Sequence, residues 1–139
     1  MSVDLCLVDG FGICLDDLNW KSKEELTNYL RDVVIPSKQI TFYNDVELTE
    51  ENAETMIHRF IVETIEDELS THLQYASVND SYYIYAPTIF PTQADVTESK
   101  IWTRKELGHE IYQTLKDFIH NTEDEVAERL GHVYDWEIC

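Results

Sequence analysis

A chain of 139 residues with 43% hydrophobic content, including eight Tyr, five Phe and three Trp, has the length of a single domain (1–139) and enough apolar material for a core, which excludes wholesale disorder. Twenty-eight Asp and Glu against ten Lys and Arg leave a formal net charge of −18, well beyond the ~2–8 that keeps a small domain soluble. Like charge excludes DNA, RNA and anionic membranes as expected partners and favours a basic protein groove.

No apolar run approaches the ~20 residues needed to span a bilayer. Asp4 and Asp9 interrupt the only stretch resembling a leader, so no signal peptide is expected. Cys6, Cys14 and Cys139 are odd in number and lack C-x-x-C spacing, which predicts reduced thiols in a cytoplasmic setting.

In chain order, Val3, Leu5 and Leu7 alternate with Asp4, Cys6 and Val8, Asp9-Gly10 is a turn signal, and Phe11 to Leu15 returns. The pattern predicts an N-terminal β-hairpin. A two-residue turn sets Cys6 and Cys14 on opposite faces, a three-residue turn pairs them, and both remain open. Ser22 with Glu25 forms a capping box before a short helix with Leu26, Tyr29, Leu30 and Val33 on one face, which Pro36 stops. Ile40 to Tyr43 reads as a short strand. Thr49 is expected to cap the longest helix, running to about Leu73, with Ala53, Met56, Ile57, Phe60, Ile61 and Ile65 as its apolar stripe.

Ser81 to Phe90 is aromatic and β-branched, a central strand that bends at Pro87 and ends at Pro91. Thr103 with Glu106 opens a helix that buries Leu107, Ile111, Leu115 and Phe118. Thr122 with Glu125 opens another, with Val126 and Leu130, and Gly131 suits its C-cap. The tail alternates Tyr134, Trp136 and Ile138 with Asp135 and Glu137, a last antiparallel strand. Strands and helices mix without a βαβ rhythm, so the expected class is α+β: a small, mostly antiparallel sheet packed with three to four helices.

Several patterns invite a chemical reading. Glu54 with His58, and Glu68 with His72, are Glu-x-x-x-His pairs that place two metal ligands on one helix face. They lie roughly 21 Å apart along a helix axis and do not match H-E-x-x-H, so ordinary side-chain pairs are expected. His109 and His120 fall on a similar face about three turns apart, too far to share a metal; with His132 they read as surface polar residues. Asp9-Gly10-Phe11-Gly12 lacks the Lys and Ser/Thr of a phosphate loop. Asp16-Asp17 and Glu66-Asp67-Glu68 lack calcium-loop spacing. No Ser/His/Asp or Cys/His triad is assignable. No catalytic residue, metal or cofactor is therefore expected.

Tyr82, Tyr83 and Tyr85 could stack on bases, but the basic surroundings such platforms need are missing. The expectation is one tyrosine face in the core and one in a partner or self-association edge. Between Asp45 and Glu68 nine carboxylates face one basic residue, Arg59; six more lie between Glu123 and Glu137 with Arg129. Glu50, Glu51, Glu54, Glu63, Glu66 and Asp67, with Glu123, Asp124 and Glu128, are the candidate partner-binding set, imitating the phosphate spacing of nucleic acid. Plain solubility is the competing reading. Lys21, Lys23, Lys100, Arg104 and Lys105 leave a less acidic zone.

Val8-Asp9-Gly10-Phe11-Gly12-Ile13-Cys14, with Tyr83-Ile84-Tyr85-Ala86-Pro87, Pro91 and Val133-Tyr134-Asp135-Trp136, resembles small accessory proteins of bacteriophages and prophages. The resemblance implies an inhibitor of host defence nucleases, of the anti-CRISPR or anti-restriction kind, acting in the bacterial cytoplasm, some of them DNA mimics; it carries over no catalytic residue. A self-associating phage structural or assembly protein, a homodimer through the tyrosine strand, is the alternative. A metal-binding hydrolase using the Glu/His pairs is the third.

Overall fold

The computed structural model describes residues 5–34, 49, 51–87 and 101–138. Four antiparallel strands form one sheet in the order β2-β3-β1-β4: β1 is Leu5–Cys14, β2 Gln74–Val78, β3 Ser81–Pro87 and β4 Gly131–Ile138. Helices α1 (Lys23–Tyr29, continued by a π-helical turn over Leu30–Val34), α2 (Ala53–Glu68), α3 (Arg104–Leu115) and α4 (Glu123–Glu128) complete an α+β fold, as the mixed element order predicts.

The N-terminal hairpin is overturned. Asp9-Gly10 does not turn: β1 is one continuous strand whose residues 10–14 pair with β3 and 5–12 with β4. Neither Gly10 nor Gly12 has positive φ. Their missing side chains serve close approach instead, because a Cβ at Gly12 would sit 2.1 Å from the Ile84 carbonyl oxygen and 2.5 Å from Tyr85 Cα. Cys6 and Cys14 thus stand eight residues apart on one extended strand, roughly 27 Å at ~3.4 Å per residue, and neither hairpin pairing survives. Cys6 is disulfide-bonded, which corrects the expectation of three reduced thiols. Cys14 is a free thiol, its pKa raised by partial burial and by Asp16 and Asp17.

The true hairpin joins β2 to β3. Asn79 and Asp80 hold φ of 52° and 64°, the left-handed pair of a two-residue type I′ turn, and Val78 faces Ser81 across it. The turn reaches over to β4. Asn79 Nδ2 donates to Asp135 Oδ1 at 2.8 Å and to the Trp136 carbonyl at 3.0 Å, and the Tyr83 hydroxyl donates to Asp135 Oδ2 at 2.8 Å. These bonds hold the Asp135 carboxyl below its ordinary range, the Tyr83 hydroxyl contributing most.

One face of the sheet carries the main core. Ile13 of β1 lies opposite Ile84 of β3, and both pack with Met56 and Phe60 of α2, Leu107 and Ile111 of α3 and Val126 of α4. The opposite face holds a small cluster of Val8, Val78 and Tyr85. Helix starts follow the sequence. Ser22–Glu25 and Thr122–Glu125 are reciprocal capping boxes, and Thr103 Oγ1 accepts the Glu106 N–H at 3.2 Å. Leu26 and Leu30 enter the core. The segment before α1 is stitched to the one after α3: Trp20 bridges Ile119, and the side-chain oxygen of buried Asn121 accepts the Asn19 N–H at 2.6 Å.

Two boundaries differ from expectation. Thr49 does not cap the long helix directly; Thr49 and Asn52 exchange bonds one turn earlier, and Asn52 is the N-cap of α2. The helix stops at Glu68, where Leu69 turns extended and the Ser70 N–H bonds the Glu110 carboxylate of α3 at 3.2 Å. Strand β2 occupies the chain that follows. Gly131 opens β4 rather than capping α4, whose C-cap is Arg129. The readings placed on Pro36, Ile40 to Tyr43, Lys100, Pro91 and Cys139 lie outside the described residues.

Because the β1–β3 approach needs bare Cα atoms at two positions, Gly12→Ala should lower unfolding stability by roughly 3 kcal/mol or more. Gly131→Ala, where a Cβ would meet nothing within 4 Å, should stay near wild type. Denaturant unfolding of the two variants checks this.

Candidate interaction surface

The acidic candidates divide into two sets. Glu51 and Glu54 stand exposed at the start of α2, and Glu63, Glu66 and Asp67 stand exposed toward its end, while Ala53, Met56, Ile57, Phe60 and Ile65 of the same helix are buried. Asp124 and Glu128 of α4 are exposed, and half-buried Glu123 holds His109 Nδ1 at 2.8 Å. Helix α3 packs against both α2 and α4 and so separates the two sets. Glu50 lies outside the described residues.

Three of the five histidines take carboxylate partners from distant segments. Besides His109, His120 Nε2 meets Glu25 at 2.9 Å and His132 Nε2 meets Asp9 at 2.6 Å. The pairing of Glu68 with His72 on one helix face is corrected: α2 ends at Glu68 and His72 lies in the turn beyond it. Glu54 and His58 are both exposed on α2. Among the described residues no group of three or more His, Cys, Asp or Glu is placed to hold a metal ion. No described helix is long and apolar enough to cross a membrane.

The tyrosine strand is not an edge. β3 is bonded to β2 on one side and β1 on the other, and Tyr85 is buried. Tyr83 is committed to Asp135, and partial burial with that bond pushes its pKa up to about 12. Tyr82 stacks on Tyr75 of β2, ring centroids 5.8 Å apart at 14°, as diagonal residues on one face of a hairpin can.

That stacked pair forms part of a cleft of about 190 Å³ between the β2–β3 hairpin, α2 and the short 3-10 turn Leu15–Asp17, lined also by Trp20, His58, Val62 and Asp16. The His58 and Tyr82 rings meet edge-to-face, with centroids 5.9 Å apart at 63°, and Trp20 Nε1 donates to the Leu15 carbonyl at 2.7 Å. Burial first, then Tyr82 and Glu66, push the Tyr75 hydroxyl up to about 12. His58 and Val62 also line a neighbouring groove of about 360 Å³ along α2, together with Arg59, Glu63 and Glu66. This cleft is not among the surfaces that the sequence pointed to. Its signal was Asn79-Asp80 between two tyrosine-bearing segments: once that turn is recognised, period-two alternation puts Tyr75 and Tyr82 on one face.

A second surface lies on β1 and β4. Leu5 faces Ile138, Leu7 faces Trp136 and Asp9 faces Tyr134, so these side chains share the sheet face that carries the helices. There they remain open: Leu5 is 60% exposed, Leu7 43%, Tyr134 60%, Trp136 52% and Ile138 67%. The alternation expected for the tail is present, with its apolar side turned to solvent.

No protein-family model, curated protein or solved structure matches the chain.

Tyr75 and Tyr83 both have folded-state pKa values raised above the unfolded value near 10. Their contribution to stability is complete below pH 10 and is lost as pH rises through about 12. Alkaline titration followed by tyrosinate absorbance should show a late-ionising class that coincides with unfolding, and Tyr83→Phe should shrink it.

Proposed function

We propose that the chain is a non-catalytic interaction protein that presents the acidic side of α2 to a basic, nucleic-acid-binding groove of another protein. The carrying observation is the exposure of Glu63, Glu66 and Asp67 beside an open groove and cleft, on a helix whose opposite side is fixed in the core. A net charge of −18 steers such an encounter and makes it salt-sensitive. The phage resemblance makes a bacterial defence nuclease the partner class, with the chain as an inhibitor of the anti-CRISPR or anti-restriction kind. The bacterial cytoplasm is where such a partner acts, and there the Cys6 disulfide is open to reduction. Because α3 separates the two acidic sets, the α2 set is assigned as the docking face and the α4 set as its periphery.

In a capture from bacterial lysate at low salt, the wild type should retain a nucleic-acid-binding protein that added DNA displaces and high salt releases. Glu63→Gln, Glu66→Gln and Asp67→Asn together should cut that retention at least tenfold with helix content unchanged. Equal retention by the triple variant would overturn the α2 assignment.

Self-association is the second reading, favoured by the apolar ribbon rather than by the tyrosine strand, since contiguous exposed apolar patches mark interaction sites. Analytical ultracentrifugation at high concentration should show a dimer for the wild type and a monomer for Leu7→Lys with Trp136→Glu. A wild type that stays monomeric removes this reading.

A further inference from the structure

We infer that the cleft between the β2–β3 hairpin and α2 is a seat for one cationic side chain of the partner, an arginine before a lysine; the inference rests on the docking of the acidic α2 face proposed above. Size sets the first limit. At about 190 Å³ the cleft falls below the ~300–1,000 Å³ of pockets that enclose a drug-sized ligand. A side-chain head group fits that space.

The lining sets the second limit. Trp20, Tyr75 and Tyr82 contribute aromatic rings, whose faces attract a cation within ~6 Å, and Asp16 contributes a carboxylate. Ile61 and Val62 give apolar wall for an aliphatic stem. A planar guanidinium can stack on a ring and also donate to Asp16, which a compact ammonium does less well. An anion would meet the Asp16 charge and the field of Glu66, which reaches Tyr75. Arg59 of α2 lines the outer groove.

Position sets the third. The cleft shares His58 and Val62 with the groove that carries Glu63 and Glu66, so a partner seated on the acidic face has a basic side chain within reach of the aromatic rings. Long-range charge would bring the surfaces together, and one desolvated arginine in an aromatic pocket would hold them, the usual division between steering and hot spot.

The test is an NMR titration of the full chain with the single-arginine peptide acetyl-Gly-Arg-Gly-amide, with its neutral citrulline counterpart as control. Saturable shifts of the Trp20, Tyr75 and Tyr82 ring signals with arginine, and none with citrulline, are expected. Asp16→Asn and Tyr82→Leu should each weaken binding about five- to thirtyfold; Asp16→Asn changes an exposed side chain and keeps the test valid if Tyr82→Leu misfolds. Unmoved ring signals, or equal shifts with citrulline, overturn the seat. A parallel titration with an octa-arginine peptide separates this inference from the one beneath it. Binding lost in the Glu63/Glu66/Asp67 variant while the cleft rings stay still refutes the seat and leaves the acidic face standing. An octa-arginine peptide that does not bind at low salt refutes the acidic face itself.

Discussion

Two strands approach as closely as β1 and β3 do at Gly12 only where one of them has no side chain in the way. Gly10 and Gly12 supply that clearance against the carbonyls of Ala86 and Ile84, and the rest of the sheet is arranged around it. β1 becomes the shared partner of β3 and β4, Ile13 meets Ile84 at the centre of the helix-side core, and the β2–β3 hairpin is placed so that its turn reaches β4. In a strand that would otherwise carry side chains on both faces, the glycines trade conformational freedom for close backbone packing.

The clasp between hairpin turn and β4 follows from this placement. Asp135 accepts from Asn79, from Tyr83 and from the Trp136 backbone N–H at 2.9 Å. The outer face of the β1–β4 ribbon is therefore partly covered, and Val8 is fully buried there. The other face of the same ribbon is not covered, which leaves Leu7 and Trp136 open although they follow the alternation of a core strand. Alternation separates two faces; it does not say how far along a strand the helices cover one of them.

Electrostatics and shape converge on α2 more than on α4. Both helices carry exposed acids, and among the described residues α2 borders a groove and an aromatic cleft. Carboxylates alone give a diffuse attraction that salt screens within about 10 Å. In the docking proposed above, a cleft with aromatic walls would add a short-range, desolvated contact to that attraction.

Local chemistry was legible where the chain decides it within a few residues. Ser22–Glu25 and Thr122–Glu125 cap their helices as their spacing dictates, the α2 stripe from Ala53 to Ile65 lies against the core except for half-buried Ile61, and the mixture of elements determined an α+β class. Contacts between distant segments decided the rest. Asp9-Gly10 carries the signal of a turn, yet it lies straight because β3 and β4 bond β1 on both sides, and cross-strand pairing overrides a dipeptide preference. The helix expected to reach Leu73 stops at Glu68 because Glu110, forty residues away, takes the Ser70 N–H. The cleft joins Asp16, His58, Tyr75 and Tyr82 from four elements, and no periodicity within one segment can bring such residues together; only the folded chain places them around one space.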